Sequence, residues 1–265
     1  MKLSVFLLSG WLLPAALLSG RGGAAQVLPP ADSVSRPAAK PSWLRRPAVW
    51  RTAIPVTLVA LGYVSRNENV MDELKEQVHE ETREHFPHFA TSLDNYTRHA
   101  PALLAYGLYA GGLRGERGVV PFSLCYGLAH VLNTGAVSQL KRISATRRPD
   151  VAADFSSFPS AHTAEAFMTA TLLHEQFGKG HPWLSVAGYS VATATGAMRM
   201  LNNRHWITDV VAGASVGFLS AEVVWRLYPA AARLLPTRFS QKLLLLPTYT
   251  PGPGGAAVGA VLMVR

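Results

Sequence analysis

The sequence predicts an all-α protein, a helical bundle followed by a short C-terminal β-hairpin-like extension. Three observations predict it. Residues 118–140 contain no Asp, Glu, Lys or Arg, which allows about six turns of continuous helix. Residues 160–177 place apolar side chains at helical spacing and stop at a Gly- and Pro-containing segment, and residues 183–200 and 205–227 repeat the pattern up to Pro229. Apolar residues 243–246 and 257–264 flank a Pro- and Gly-rich turn, which predicts two short strands.

The sequence predicts that the N-terminal 50 residues lie outside this bundle. A basic start, an apolar run and Gly23-Ala24-Ala25 predict a secretory signal peptide over residues 1–25, cleaved before Gln26. Five prolines among Ala and Ser predict an extended linker over 26–50. We therefore expect an exported protein with a helical domain at 51–228 and an extension at 229–265. Its site would lie outside the cytoplasm, in the periplasm or at the cell-envelope membrane.

Composition restricts the possible partners. Hydrophobic residues make up 49% of the chain, which excludes a disordered protein, and the single Cys125 excludes a disulfide scaffold. Eight of the 16 acidic residues fall between Glu68 and Asp94, where an amphipathic helix with a solvated acidic face is expected. From Thr97 onward 15 basic residues oppose seven acidic ones. An excess of cations in an exported chain favours an anionic lipid surface or a phosphorylated substrate over nucleic acid.

The short connections between the helices predict where their ends meet. A connection of about five residues makes the helices at 160–177 and 183–200 antiparallel neighbours, so the start of one lies beside the end of the other. By the same reasoning the helix ending near residue 141 and the one starting at 205 reach that level. The residues expected to meet there are Lys141, Arg148, Ser160, His162, Arg199, His205 and Asp209.

These residue types suit an anion site with proton-transfer groups. Guanidinium groups match phosphate oxygens, and the first N–H groups after Ser160 would add donors and a favourable helix dipole. His205 and Asp209 are four residues apart, so on a helix the carboxylate can orient the imidazole. His162 is then a second imidazole able to give or take a proton. Taken singly, each feature also has a structural explanation: a solvated cation, a helix N-cap or a plain hydrogen bond.

Together the segments resemble a known family. Residues 141–149, with Lys141, Arg148 and Pro149, look like its first motif, K-x6-R-P. Pro159-Ser160-Ala161-His162 resembles its second, P-S-G-H, and Arg199-x5-His205-x3-Asp209 resembles its third. The family is that of the type 2 phosphatidic acid phosphatases and vanadium haloperoxidases, and the chain resembles its phosphatase branch. Two positions depart from the pattern, because Ala161 replaces Gly and Met198 replaces Ser.

The resemblance implies a helical bundle of the acid phosphatase/vanadium haloperoxidase type and a metal-free, cofactor-free hydrolysis. His205 would attack phosphorus to form a phosphohistidine, Asp209 would orient it, and His162 would protonate the leaving oxygen and later activate water. The phosphate would be bound by Lys141, Arg148, Ser160, the Ala161 amide and Arg199.

The substrate and the relation to the membrane stay open at this point. The resemblance is compatible with a phosphatase of a lipid phosphate or diphosphate and with a soluble, broad-specificity periplasmic acid phosphatase. A vanadate-dependent haloperoxidase and a non-catalytic envelope protein with the same scaffold are further alternatives. Residues 118–140 have the length of a membrane span, whereas the apolar stretches 52–65 and 100–113 are short. Partial embedding and a bundle resting on the membrane surface fit equally well.

Overall fold

A computed structural model describes residues 47–65, 70–151, 153–234, 243–252 and 255–264. The predicted signal peptide and residues 26–46 of the predicted linker lie outside these ranges. The described residues form eight helices and two strands: α1 (Pro47–Val64), α2 (Val70–His85), α3 (Asp94–Thr97), α4 (Ala100–Ala110), α5 (Val119–Ser144), α6 (Ala161–Phe177), α7 (Pro182–Leu201), α8 (Ile207–Leu234), β1 (Leu243–Gly252) and β2 (Gly255–Val264). The predicted helical bundle with a C-terminal hairpin is confirmed.

Helix α6 is the centre of the bundle and carries the second motif at its N-terminus. It packs against α4, α5, α7 and α8, and 12 of its 17 residues are buried. Its inner end joins the main core, where Met168, Leu172 and Leu173 meet Phe122 of α5 and Trp225 of α8. A helix buried on nearly all sides is held in position by its neighbours, so the site at its N-terminus rests on a rigid element.

Two glycines of α8 allow it to approach α6 closely. A Cβ added at Gly213 would lie 2.5 Å from the carbonyl oxygen of Ser160, and one added at Gly217 would lie 2.0 Å from that of Ala164. Contacts this short are not possible for a side-chain carbon, so only glycine permits this interhelical distance. The approach brings Asp209, one turn before Gly213, to the start of α6, where the Ser160 N–H donates to the Asp209 carbonyl at 3.0 Å.

The helices agree closely with the predicted ranges, except at the C-terminal end of α8. We expected this helix to end before Pro229, but it continues through Pro229 to Leu234. A proline normally leaves the carbonyl four residues earlier without its helical donor. Here that carbonyl belongs to Trp225, and the Arg117 guanidinium donates to it at 2.7 Å while lying over the Trp225 ring. Arg117 thus satisfies the carbonyl that Pro229 leaves free, which removes the main reason for the helix to stop.

The N-terminal helices differ from expectation in detail. Helix α1 begins at Pro47, four residues before the predicted start of the domain, because proline suits the first turn of a helix. The acidic segment forms α2, as expected, but the side of the helix that faces the bundle differs from the side that carries the apolar Leu74. Leu74 is 49% exposed, whereas Lys75 is buried with its ammonium 4.7 Å from the centre of the Trp206 ring. The cation–π contact lets α2 cover the bundle with a polar side chain.

The C-terminal segment forms an antiparallel hairpin, as predicted. Leu243 pairs with Val264 and Gly252 with Gly255, so the first strand extends six residues beyond the predicted 243–246. The turn at 253–254 lies outside the described residues.

Within the described part of the chain, one segment, Ile207–Arg233 of α8, is long and apolar enough to cross a membrane. It is 56% buried inside the bundle, which is also typical of the core helix of a soluble protein. Helix α5 covers the predicted charge-free stretch, and its buried Asn133 and half-buried His130 face the Glu165 carboxylate of α6.

Candidate active site

The first-motif residues lie at the end of α5 and in the loop that follows. Ala145 adopts a left-handed conformation, with φ of 45°, and ends the helix directly after Lys141 has been placed in its last turn. The Lys141 ammonium donates to the carbonyl oxygens of Ser156 and Ser157. Arg148 donates to Ser156 Oγ at 3.2 Å and forms an ion pair with Asp154 at 2.9 Å. Both cations are therefore bound to residues 154–157, the part of the loop that leads into α6.

The second motif forms the N-terminus of α6. Ser160 is its N-cap, and Ser160 Oγ accepts from Thr163 Oγ1 at 2.9 Å. Because this oxygen acts as the acceptor, its own O–H is available to donate to a ligand. The N–H groups of Ala161 and His162 have no acceptor within the helix, as is general for a first turn. The arrangement supplies three donors at the positive end of a 17-residue helix dipole.

The third motif brings a buried histidine against a buried carboxylate. His205 and Asp209 are 3% and 1% exposed, and His205 Nδ1 lies 3.4 Å from Asp209 Oδ2. That oxygen also accepts from the backbone N–H of Trp206 at 3.0 Å and from Ser157 Oγ at 2.5 Å. With a carboxylate facing Nδ1, that nitrogen carries the proton and Nε2 keeps a free lone pair. Sequence reasoning missed Ser157, since a serine in a loop carries no periodic signal.

Burial keeps His205 neutral. Desolvation lowers the pKa of His205 to about 4, and the Asp209 carboxylate opposes this shift only in part. A neutral imidazole is the form that can act as a nucleophile.

The remaining two predicted residues are held by α3, a one-turn helix that sequence reasoning did not assign to the site. Asp94 Oδ2 accepts from Arg199 Nη1 at 2.5 Å. Asn95 Oδ1 lies 2.8 Å from His162 Nε2, and Arg98 Nη1 lies 3.4 Å from the same nitrogen. The expectation that Asp94 is solvated like the other acidic residues of this segment is wrong, because Asp94 is 1% exposed and paired with Arg199. A lone acid ten residues after Glu84 was the one available signal.

The electrostatics of the site favour an anion. Burial, and then the nearby Arg148 cation, lower the pKa of Lys141 to about 8. Burial, followed by Arg199 and Arg98, lowers the pKa of His162 to about 2. Both shifts include repulsion between like charges gathered in one place, and a bound anion would relieve that repulsion.

An open cavity of about 630 Å3 lies over His162 and Arg199. One wall is the segment 89–95, and the other includes Asn202 and Arg204 of the third motif. The structure thus brings Lys141, Arg148, Ser160, Ala161, Arg199, His162, His205 and Asp209 to one end of the bundle. The roles that the resemblance implies for them stay predictions.

Comparison with known proteins identifies one matching family model and one curated relative. The model of the PAP2 superfamily matches residues 121–233. A curated lipid A 1-phosphatase of Porphyromonas gingivalis is 39% identical over 158 residues, which are 58% of this chain and 35% of that protein. The chain therefore spans about a third of the length of this relative.

Two solved structures are also similar. The crystal structure of Aquifex aeolicus LpxE is 25% identical with a TM-score of 0.39, covering 56% of this chain and 93% of the other. That of the transmembrane PAP2 type phosphatidylglycerolphosphate phosphatase from Bacillus subtilis is 18% identical with a TM-score of 0.46, covering 71% and 100%.

Proposed function

We propose that the chain is a PAP2-type phosphatase, whose superfamily model matches residues 121–233, and that it hydrolyses a phosphate ester of a membrane lipid. The observation that carries the proposal is the pairing of a buried, neutral His205 with Asp209 beside the N-terminus of α6. A nucleophile, an orienting carboxylate and three cations at one helix end form a site for phosphoryl transfer. The similarity to a lipid A 1-phosphatase supports a lipid phosphate as the substrate class.

The first chemical step follows from the geometry of His205. Its Nε2 lone pair attacks phosphorus, an N–P bond forms, and the bond from phosphorus to the leaving oxygen breaks in line. The proton on Nδ1 stays directed at Asp209, which stabilises the imidazole as positive charge develops. Lys141, Arg148, Arg199 and the donors at the start of α6 hold the phosphoryl oxygens as their charge is redistributed.

The second imidazole completes the cycle. His162 gives a proton to the leaving oxygen, so the product leaves as an alcohol. It then takes a proton from water, whose oxygen attacks the phosphohistidine and releases inorganic phosphate and free His205. With its pKa near 2, His162 is neutral in the empty site at ordinary pH. The proton that His162 gives to the leaving oxygen therefore comes from the substrate. The substrate binds with a singly protonated phosphate group, whose second pKa is about 6.

The proposal predicts how activity depends on pH. His205 must be neutral, which sets an acid limb near its pKa of about 4. The substrate must carry a proton, which sets an alkaline limb at about 6. We expect kcat/KM to be highest between these values, and measurement of kcat/KM from pH 3 to 9 would check it. A plateau that extends beyond pH 8 would contradict the assignment of the proton to the substrate.

Substitution of the nucleophile tests the function itself. We expect His205→Ala to reduce phosphate release from para-nitrophenyl phosphate and from a lipid phosphate by more than a thousandfold. His88→Ala, at an exposed histidine on the surface, is the matched control and should retain full activity. Normal release of phosphate by His205→Ala would refute the proposal.

The intermediate can be tested separately. With para-nitrophenyl phosphate, whose leaving group needs no acid, His162→Ala should form the phosphoenzyme but hydrolyse it slowly. Brief mixing with a radiolabelled substrate and an alkaline quench should then trap label on His205, since phosphohistidine is stable to alkali and labile to acid. Absence of label in both the wild type and His162→Ala would refute the covalent route.

Association with the membrane is part of the same proposal. Large apolar side chains are exposed on several outer helices, for example Ile54 at 53% on α1, Leu103 at 67% on α4, Val131 at 70% on α5 and Val186 at 68% on α7. Such a surface is typical of contact with lipid or with another protein. We infer an exported protein at the cell-envelope membrane, and extraction with carbonate against extraction with detergent tests it. Complete release by carbonate would favour a soluble acid phosphatase.

A further inference from the structure

Arg98 is a half-buried cation at the site that none of the three motifs supplies. It follows α3 directly, and its Nη1 lies 3.4 Å from Nε2 of His162. In the proposed function, on which this inference rests, the phosphoryl group reacts between the nucleophile His205 and the proton donor His162. A guanidinium group in contact with His162 therefore lies beside the reacting phosphate.

Two contacts hold Arg98 in this position. Its carbonyl accepts from Thr169 Oγ1 of α6 at 3.0 Å, which ties the corner between α3 and α4 to the helix that carries His162. Its Nε donates to the Asn95 carbonyl at 3.2 Å, which keeps the side chain against α3. Both contacts use the backbone and the inner nitrogen of Arg98, so the two terminal nitrogens of the guanidinium group remain for a ligand.

Arg98 forms no ion pair with any described carboxylate. The arginines of the first and third motifs, by contrast, each pair with an aspartate. Helix α6 does contain a buried carboxylate one turn after His162, at Glu165, but His130 and Asn133 of α5 bind its oxygens. The charge of Arg98 is therefore left for a partner that comes from outside the described part of the chain.

The contact between Arg98 and His162 brings two hydrogen-bond donors together. Asn95 Oδ1 lies 2.8 Å from His162 Nε2, closer than Arg98 Nη1 does, and an amide oxygen can only accept. Since Nε2 then carries the proton, it offers no lone pair to Arg98. Of the guanidinium N–H groups, only the one on Nε keeps an acceptor among the described residues. The others suit an anionic acceptor placed next to His162.

The charges around His162 favour the same anion. Burial lowers the pKa of His162 most, and the groups that face the ring lower it further, namely Arg199 from α7, Arg98 and His99 from the corner between α3 and α4, and His205 from just before α8. A phosphate oxygen bound by Arg98 would place negative charge beside these groups and reduce their repulsion of a proton on His162. Binding of the substrate would thus help His162 to hold the proton that it gives to the leaving oxygen.

We propose that Arg98 is a phosphate-binding residue, which donates to a phosphoryl oxygen of the substrate on the side of His162. It adds a further side-chain cation to Lys141, Arg148 and Arg199. In the empty site the Arg98 guanidinium faces the His162 ring, and in the complex the phosphate neutralises it. The corner between α3 and α4 then takes part directly in binding the phosphate.

Inhibition by inorganic phosphate tests this contact, because phosphate carries the group that Arg98 would bind and no leaving group. We expect Arg98→Ala to raise Ki for inorganic phosphate by about tenfold or more, the factor for one charge-assisted hydrogen bond. KM for para-nitrophenyl phosphate should rise in parallel, and kcat should fall by a smaller factor, since this leaving group needs little help from His162. An unchanged Ki would overturn the proposal.

Two further variants separate a specific contact from structure and from general charge. Arg98→Lys keeps a cation and should recover part of the affinity for phosphate. Arg142→Ala removes an exposed cation from the last turn of α5 and should leave Ki unchanged. An equal rise of Ki in Arg98→Ala and Arg142→Ala would overturn the contact, and so would a loss of affinity and of Tm in Arg98→Ala that Arg98→Lys does not relieve.

The rate on para-nitrophenyl phosphate separates this inference from the proposed function. If the wild type releases phosphate from it no faster than His205→Ala does, the proposed function fails and this inference fails with it. Turnover by the wild type, together with the same Ki for inorganic phosphate in the wild type and Arg98→Ala, would overturn the role of Arg98 alone.

Discussion

Substitution of Ser157 by alanine tests how the nucleophile is controlled. Ser157 is fully buried, and its hydroxyl donates to Asp209 Oδ2 at 2.5 Å while lying 3.5 Å from His205 Nδ1. It therefore competes with His205 for the same carboxylate oxygen. Removing it leaves that oxygen with the Trp206 N–H and with His205.

The magnitude follows from the type of bond. A hydrogen bond to a charged group contributes about 1.5–3 kcal/mol to stability, so we expect Ser157→Ala to lose about 2 kcal/mol. For a domain of this size that loss lowers Tm by about 4–8 °C. If half of the released interaction, about 1 kcal/mol, strengthens the contact between Asp209 and protonated His205, the pKa of His205 rises by about 0.7 unit.

The assay is the pH dependence of kcat/KM on para-nitrophenyl phosphate together with thermal unfolding. The acid limb should move upward from about 4, because a more basic imidazole is neutral only at higher pH. Ser123→Ala is the control, since it removes a buried neutral hydroxyl that donates to the Val119 carbonyl in α5. It should lower Tm without moving the limb. If Ser157→Ala lowered Tm and left the acid limb in place, the hydroxyl would be structural only.

Three further predictions follow from burial and packing. The pKa of His205 is about 4 in the folded protein and about 6.5 in the unfolded chain, so the unfolded chain binds the proton first as the pH falls. The free energy of unfolding should therefore fall by about 3 kcal/mol from pH 6.5 to pH 4. Urea titrations should show a weaker decline in His205→Gln, and an unchanged decline would contradict the assignment. Gly217→Ala should lower the free energy of unfolding by more than about 3 kcal/mol, since its Cβ would lie 2.0 Å from a carbonyl oxygen of α6. The control Gly107→Ala, which has open space around it, should be neutral or stabilising in the same denaturation assay. Asp94→Asn should lower kcat/KM by about tenfold or more by releasing Arg199, and a variant with unchanged kinetics would show that the pair serves stability alone.

The helices of the bundle could be predicted because their signals are local. Apolar side chains at helical spacing and breaker residues predicted 160–177 and 183–200, and the observed helices are Ala161–Phe177 and Pro182–Leu201. Once these ends were known, short loops alone required the three motifs to converge. The same local reasoning failed at Pro229, because the donor that compensates for proline comes from Arg117, more than a hundred residues earlier in the sequence.

The supporting polar contacts could not be predicted, since each joins distant segments through one side chain. Asp94 precedes Arg199 by 105 residues, and Ser157 precedes Asp209 by 52. Neither belongs to a periodic pattern, and a single acid or serine in a connecting segment is usually solvated. Such partners become visible only when burial is known, because a buried charge must find a counter-charge or hydrogen bonds.

Two kinds of element build the site. The groups that the motifs supply, the imidazoles and the cations, are positioned by α5, α6 and α8, whose packing leaves little freedom. The groups that hold them, Asp94 and Asn95, come from the one-turn helix α3, which packs against α4, α6 and α7. Since Arg199 and His162 also border the open cavity, a displacement of α3 would move both side chains together. We therefore expect substitutions in segment 89–98 to alter kcat/KM through Arg199 and His162 while His205 and Asp209 keep their contact.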